Sequence, residues 1–398
     1  MSKKINALTA LTAAAAQISA SSVQAEAMPE DRKVAYRFTQ YTEDDSPRER
    51  TFTQETKRYD ISVHQIGFST PVTSNWQVSG ELQYETLSGA SPMQTYKNDE
   101  GRSVLFMSGA SINETRTDIK VTPKRYFEDG TVAVTLANSS ENDYESNALG
   151  LDGSLEIYDK HTTLLWSFST SQDKLSPTDA NKVGFESRKP ADGAKKRTTS
   201  FYQGVSQVIN KISVVQAGVG YTKSEGYLSD PYKTADRRPE EREAYTISGQ
   251  YRHFFKLFSG AALHTSYRYY WDDWKVSSHT IDAKWHQKFD QLPTGFGQRF
   301  DLRVTPEIRY YRQDDAEFYS LQETPPAGEL NSSDARLSKY GAINMALALR
   351  VEYDQIGVTM RNGYYFSDTA LAIYDTSSDE TPALVNYSTF SLGVDYTF

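Results

Sequence analysis

Apolar and polar side chains alternate one by one over many short stretches of this 398-residue chain, and no other feature limits its fold as tightly. In an extended strand, successive side chains point to opposite faces. Over 388–398, Phe390, Leu392, Val394, Tyr396 and Phe398 share one face, while Thr389, Ser391, Gly393, Asp395 and Thr397 share the other. Near residue 80, Trp76, Val78, Gly80, Leu82 and Tyr84 oppose Gln77, Ser79, Glu81, Gln83 and Glu85. Near 305, Phe300, Leu302, Val304, Pro306, Ile308 and Tyr310 oppose Asp301, Arg303, Thr305, Glu307, Arg309 and Tyr311. About ten such residues cross a bilayer when tilted.

The period-two template fits about sixteen segments, within a range of fourteen to eighteen: 33–41, 58–69, 75–86, 114–126, 131–138, 147–158, 162–170, 196–209, 213–222, 243–255, 260–271, 277–288, 300–311, 337–353, 357–367 and 386–398. Turns such as FEDG, DKH, INK and KLFS alternate with connections that are mostly long, at 42–57, 87–113, 171–195, 223–242, 312–336 and 368–385, with short hairpins near 139–146 and 272–276 as two exceptions. Short turns on one side and long loops on the other are the asymmetry of a transmembrane barrel. In lipid every backbone donor and acceptor must be paired within the protein, so a spanning sheet has to close. The fold expected is all-β: a transmembrane antiparallel up-and-down β-barrel of about sixteen strands. The alternative, a water-soluble β-sandwich, calls for shorter strands and segments buried across a core.

Composition agrees. Hydrophobic residues make up 38% of the chain, yet it carries 27 tyrosines, and aromatics reach 13%. Tyrosine suits a membrane–water boundary, with its ring body in lipid and its hydroxyl in water. The chain has no cysteine, which excludes disulfides, thiolate metal sites and covalently attached haem; no cofactor is indicated. A net charge of −9 argues against nucleic acid. No apolar run is long enough for a membrane-spanning helix.

The amino-terminal stretch MSKKINALTALTAAAAQISASSVQA reads as a signal peptide, with Lys3 and Lys4 before an apolar segment and Val23-Gln24-Ala25 at the cut. Residues 1–25 are therefore expected to be removed and 26–398 to form the barrel, with no amino-terminal plug domain. Export and the barrel place the protein in a bacterial outer membrane, in contact with lipid and lipopolysaccharide. At the other end SLGVDYTF resembles the assembly signal of such barrels, carried by Ser391, Gly393, Tyr396 and Phe398. That resemblance implies handling by the barrel-assembly machinery.

Several phrases resemble an uncharacterised family of outer-membrane barrels, domain of unknown function 3570. They are SGASP at 88–92, ENDY at 141–144, GYLSDPYK at 226–233, SYRYYWDDW at 266–274, HTIDAKW at 279–285 and PEIRYYRQDDAEFY at 306–319. The resemblance implies a barrel and brings no established activity. It also implies gene neighbours that include a small lipoprotein, a thioredoxin-like protein and a flavin-attaching transferase, hence periplasmic or lipoprotein partners in an envelope redox system.

The polar faces place Glu81, Glu85, Asp118, Lys120, Arg268, Asp282, Lys284, Asp301, Arg303, Glu307 and Arg309 in the lumen. These side chains either create a field that orients a charged solute or neutralise one another across the wall; close alternation of sign favours the second. A turn near residue 274 sets Ser266 opposite Asp282, with His264 and His286 nearby. That set invites a hydrolase reading, but it lacks the lipid-edge or groove placement of a membrane enzyme, and none is expected. The run SVLFM at 103–107 is apolar inside a long loop. It fits a lumenal constriction, a docking surface, or a cluster that packs loops over the mouth. The acidic stretch TEDDSPRE at 42–49 reads as solvated. The leading functional expectation is a pore for small polar solutes; the alternative is a non-conducting sheath or docking scaffold for an envelope complex.

Overall fold

The computed structural model describes residues 28–53, 55–108, 112–183, 186–295, 297–373 and 381–398; the expected signal peptide lies outside them. The first strands are β1 (Lys33–Glu43), β2 (Asp60–Thr73), β3 (Trp76–Gly89), β4 (Pro92–Lys97), β5 (Ser103–Met107) and β6 (Ile112–Phe127). Next come β7 (Gly130–Ser140), β8 (Tyr144–Ile157), β9 (Thr162–Leu175), β10 (Lys195–Asn210), β11 (Ser213–Gly226) and β12 (Glu241–Phe255). The last are β13 (Ala261–Asp272), β14 (Ser277–Pro293), β15 (Arg299–Gln313), β16 (Tyr340–Tyr353), β17 (Ile356–Asp368) and β18 (Tyr387–Thr397). All except β4 and β5 form one closed ring of sixteen strands, each antiparallel to its neighbours. Strand β18 pairs with β1 from Lys33↔Thr397 to Glu43↔Tyr387, so no edge remains.

The alternation settles which face turns outward. In β18 the burial pattern switches at every residue, with Phe390, Leu392, Val394 and Tyr396 on the exposed side. The same exposed face carries Leu82 and Tyr84 on β3, Ile119 and Val121 on β6, Ile281 on β14, Ile308 on β15 and Met345 and Leu347 on β16. A continuous band of exposed apolar side chains around a closed sheet is stable only against lipid.

The ring has two unlike ends. Short turns join β2 to β3, β6 to β7, β8 to β9, β10 to β11, β12 to β13, β14 to β15 and β16 to β17, and the start of β1 and the end of β18 lie on this side. Connections 44–59, 90–111, 176–194, 227–240, 314–339 and 369–386 leave from the opposite rim.

Strands run longer than the alternating segments: β14 has 17 residues and β10 has 16. Beyond the bilayer a strand no longer needs an apolar outer face, so pairing continues where the pattern stops. Two boundaries differ for local reasons. The segment expected from 337 starts at Tyr340, because Asp334 caps a 3-10 turn at Ala335–Leu337 by accepting from the Arg336 backbone N–H. The loop after β3 is not irregular. It folds as the hairpin β4–β5, with SVLFM as its second strand. Gly89 opens this loop at φ +125°, and a Cβ there would sit 2.2 Å from the Arg58 carbonyl oxygen.

Candidate functional site

The residues read from sequence as lumenal all lie on the face opposite the apolar band, and strand register brings most of them together. Glu81, Glu85 and Asp118 gather on β3 and β6, where Glu81 faces Lys120, Gln83 faces Asp118 and Glu85 faces Arg116. Arg116 bonds Asp118 at 2.8 Å and lies 4.0 Å from Glu85. A second group spans β14 and β15: Arg309 meets Asp282 at 2.5 Å and Lys284 meets Glu307 at 3.6 Å. Glu307 also reaches Arg361 on β17 at 3.1 Å, and Asp301 lies 3.9 Å from Lys288. Mutual neutralisation, the favoured expectation, therefore describes most of the wall. Glu81, Lys120, Arg268 and Arg303 depart from it, with no ion-pair partner among the described residues, Glu81 accepting only from Gln65 at 3.4 Å. The wall remains wet: the side chains of Arg309 and Lys284 are 56% and 44% exposed.

Sequence reading passed over several inner charges. Arg116, Lys288 and Arg361 complete the pairs above, and Arg350 bridges Glu352 at 2.6 Å and Asp395 at 2.7 Å. Parity within β16 and β17 would have found Arg350 and Arg361. What parity could not supply is the pairing across an intervening strand, because curvature of the closed wall brings β15 near β17 and β16 near β18.

The expected register of the β13–β14 hairpin holds, with Ser266 opposite Asp282. Ser266 Oγ donates straight to Asp282 at 3.2 Å. The His264 and His286 rings pack edge-on with centroids 4.6 Å apart. No histidine stands between the hydroxyl and the carboxylate, which is the geometry a triad requires.

The long-loop end carries the buried apolar clusters. Tyr232, from loop 227–240, packs with Tyr59, Ile61 and Leu87 at the tops of β2 and β3, on the far side of the ring. Its hydroxyl donates to Asp143, and Arg188 lies over its ring, 4.8 Å from the centroid. Burial first, and then Asp143, push this phenol's pKa up, so it remains a donor. In the SVLFM strand Leu105 and Met107 are buried with Ala90 and Ala383. Of its three readings, loop packing is the one the structure bears out. A third cluster joins Trp274, Val276, Ala316, Phe318 and Leu337.

Polar ties cross the same space. The Thr234 backbone N–H donates to Met93 O at 2.9 Å, Lys97 N–H to Leu321 O at 2.9 Å, and Thr95 N–H to Ser333 Oγ at 3.1 Å. Beneath them Arg238 bridges Asp236 at 2.9 Å and Asp334 at 2.8 Å, and Arg336 pairs with Asp334 and Asp230. Burial opposes ionisation of Asp334, but Arg336, Lys233 and Arg238 outweigh it and hold its carboxyl well below the usual range. Loops from opposite walls thus interlock into a cap over the mouth. The stretch 42–49 belongs to this framework as well. It is solvated at Asp44, Asp45, Arg48 and Glu49, but the Glu43 side chain is only 7% exposed and accepts from Arg58 Nε at 2.8 Å, while Arg58 Nη1 donates to Ala383 O at 3.1 Å.

The four residues of the carboxy-terminal signal lie at the closing seam. Ser391 Oγ and Thr39 Oγ1 are 2.9 Å apart, and Gly393 faces Arg37. Tyr396 donates to Gln355 Oε1 at 2.7 Å and stacks on Phe398.

Fold, apolar band, wet inner wall and loop cap together define a membrane-spanning β-barrel of sixteen strands. The chain belongs to the family described as "Protein of unknown function (DUF3570)", whose model matches residues 5–377. No curated protein sequence matches it. Among solved structures it is similar to a bacterial polysaccharide outer membrane secretin, at 10% identity and TM-score 0.48 over 92% of this chain and 98% of that one. It is also similar to CdiB from Acinetobacter baumannii, at 10% identity and TM-score 0.49 over 93% of this chain and 61% of that one. A third is OpdQ from Pseudomonas aeruginosa, at 8% identity and TM-score 0.42 over 92% of this chain and 98% of that one.

Proposed function

We propose that the chain, exported through its 1–25 leader, is a bacterial outer-membrane pore for small polar solutes, with its outer mouth narrowed by the interlocked loops. One observation supports this reading: the eleven charged residues named from the sequence share the strand face opposite the exposed apolar band, with Arg309 and Lys284 about half exposed. Buried apolar clusters sit among the long loops. A barrel of this strand number is too wide for its own side chains to fill. Glu81, Glu85, Asp118, Lys120, Arg268, Asp282, Lys284, Asp301, Arg303, Glu307 and Arg309 would set the field a solute meets. Ser391, Gly393, Tyr396 and Phe398 would serve recognition by the assembly machinery and closure of the wall. No catalytic step is assigned to Ser266.

The cap favours a second reading, in which the barrel does not conduct and its periplasmic rim docks an envelope partner. Single-channel recording of the refolded protein in a planar bilayer separates the two. Steps proportional to salt concentration are expected for a pore; a folded, inserted barrel that stays silent would sink that reading and leave the scaffold.

A further inference from the structure

Along β12–β15 the neutralisation of the inner wall breaks down. Arg252 faces His264 across β12 and β13. The His264 ring meets His286, and His286 Nδ1 lies 3.0 Å from Thr305 Oγ1. Arg303, two residues along β15, stands between Lys288 and Arg350 on the flanking strands. Neither guanidinium has a counter-charge: Arg252 bonds the neutral Gln250 Oε1 at 3.3 Å, and Arg303 has no ion-pair partner among the described residues. The nearby carboxylates face other cations: Glu307 meets Lys284 and Arg361, Asp395 and Glu352 meet Arg350, and Asp290 and Asp301 lie 2.8 Å and 3.9 Å from Lys288. The result is a track across four strands with an unpaired arginine at each end and two imidazoles between them, on a wall where most other charges are paired.

We propose that this track binds a small oxyanion of the carboxylate or phosphate type inside the barrel. A guanidinium presents a planar fork of N–H donors that matches such an anion's oxygens. Two imidazoles between the arginines add donors at intermediate positions. Low-dielectric walls focus the field of the unpaired cations into the lumen. The site deepens the pore reading by naming a solute class, since the anion would cross along it, but anion binding itself does not depend on conduction.

The test titrates inorganic phosphate into the refolded mature barrel in detergent micelles and follows the 31P linewidth. Saturable binding is expected, with at least a tenfold loss of affinity in the Arg252→Gln/Arg303→Gln double variant. Arg125→Gln, on the apolar outer face near Trp76, should bind as the unaltered protein does. Absence of saturable binding, or equal binding by the double variant and the unaltered protein, overturns the site. Should the double variant not fold, Arg303→Gln alone is read the same way. Reversal potentials in a salt gradient then address permeation separately. Anion preference that the variant weakens supports passage along the track, and conduction without it refutes that passage. Silence with phosphate binding intact removes the pore and leaves the site.

Discussion

Tyr232 is the side chain through which loop 227–240 holds the opposite wall, and its removal should open the cap without opening the barrel. The ring is 5% exposed and packs on Tyr59, Ile61 and Leu87. Truncating a buried aromatic to alanine costs about 3–5 kcal/mol. The charge-assisted bond to Asp143 and the Arg188 contact lie within that loss, so about 3 kcal/mol is a conservative figure for Tyr232→Ala. At about 1.4 kcal/mol per tenfold, the population with this loop released rises about a hundredfold. Trypsin cleavage after Lys233 in the micelle-held barrel follows that population when reclosing outpaces cutting. A rate increase near a hundredfold is expected for Tyr232→Ala. Tyr232→Phe, which keeps the ring and loses the hydroxyl, should give roughly tenfold. The barrel band on unheated gels should not shift, because ring closure through β1 and β18 involves none of these contacts. Equal cleavage of both variants and the unaltered protein would refute the view that Tyr232 pins the cap.

Three further outcomes are expected. Ile281, 50% exposed on the outward face of β14, should tolerate Val; Ile281→Arg should cost about 2–4 kcal/mol at mid-membrane, read as a fall in the urea midpoint for unfolding from vesicles. Glu141, in the loop after β7, has its pKa pushed up to about 8 by burial, with Asp143, Glu85 and Glu114 adding to the rise and Arg116 opposing it. An acid whose folded pKa is raised contributes stability that is full below its ordinary pKa of 4.5 and lost as pH rises through about 8. The Tm should therefore fall between pH 5 and pH 9, and Glu141→Gln should flatten that slope; an unchanged slope counts against the assignment. Phe398→Ala should slow insertion in cells while leaving spontaneous refolding in detergent intact; equal loss in both assays would point to a role in the fold alone.

Particular stretches show why some features were legible in the sequence and others were not. The outward set on β18 and the inward charges on β15 could be read directly, because a strand's side chains follow a strict two-residue period. The facing of Ser266 and Asp282 was legible too, since a short turn at a known place fixes register by counting. Boundaries were less so. Alternation stops where lipid stops, whereas backbone pairing in β10 and β14 continues into the rim.

Loop packing over the mouth was one of three readings of SVLFM, but the contacts that make the cap lay outside sequence reasoning. SVLFM looked anomalous, but nothing local says that Leu105 and Met107 meet Ala383, or that Tyr232 meets Ile61. Those contacts depend on which loops lean across the mouth, and loops carry no period. The same holds for the unpaired arginines. Sequence placed Arg303 in the lumen, but whether a carboxylate stands within reach depends on wall curvature and on strands remote in the chain. The sequence by itself determined a closed wall of about sixteen strands, its greasy outside and its polar inside, because lipid forces a pattern on every residue that faces it; the count of sixteen came with the closed ring. Tertiary structure alone decided how the mouth is covered and where the inner charge goes unbalanced, because both follow from long-range proximity, which no local pattern encodes.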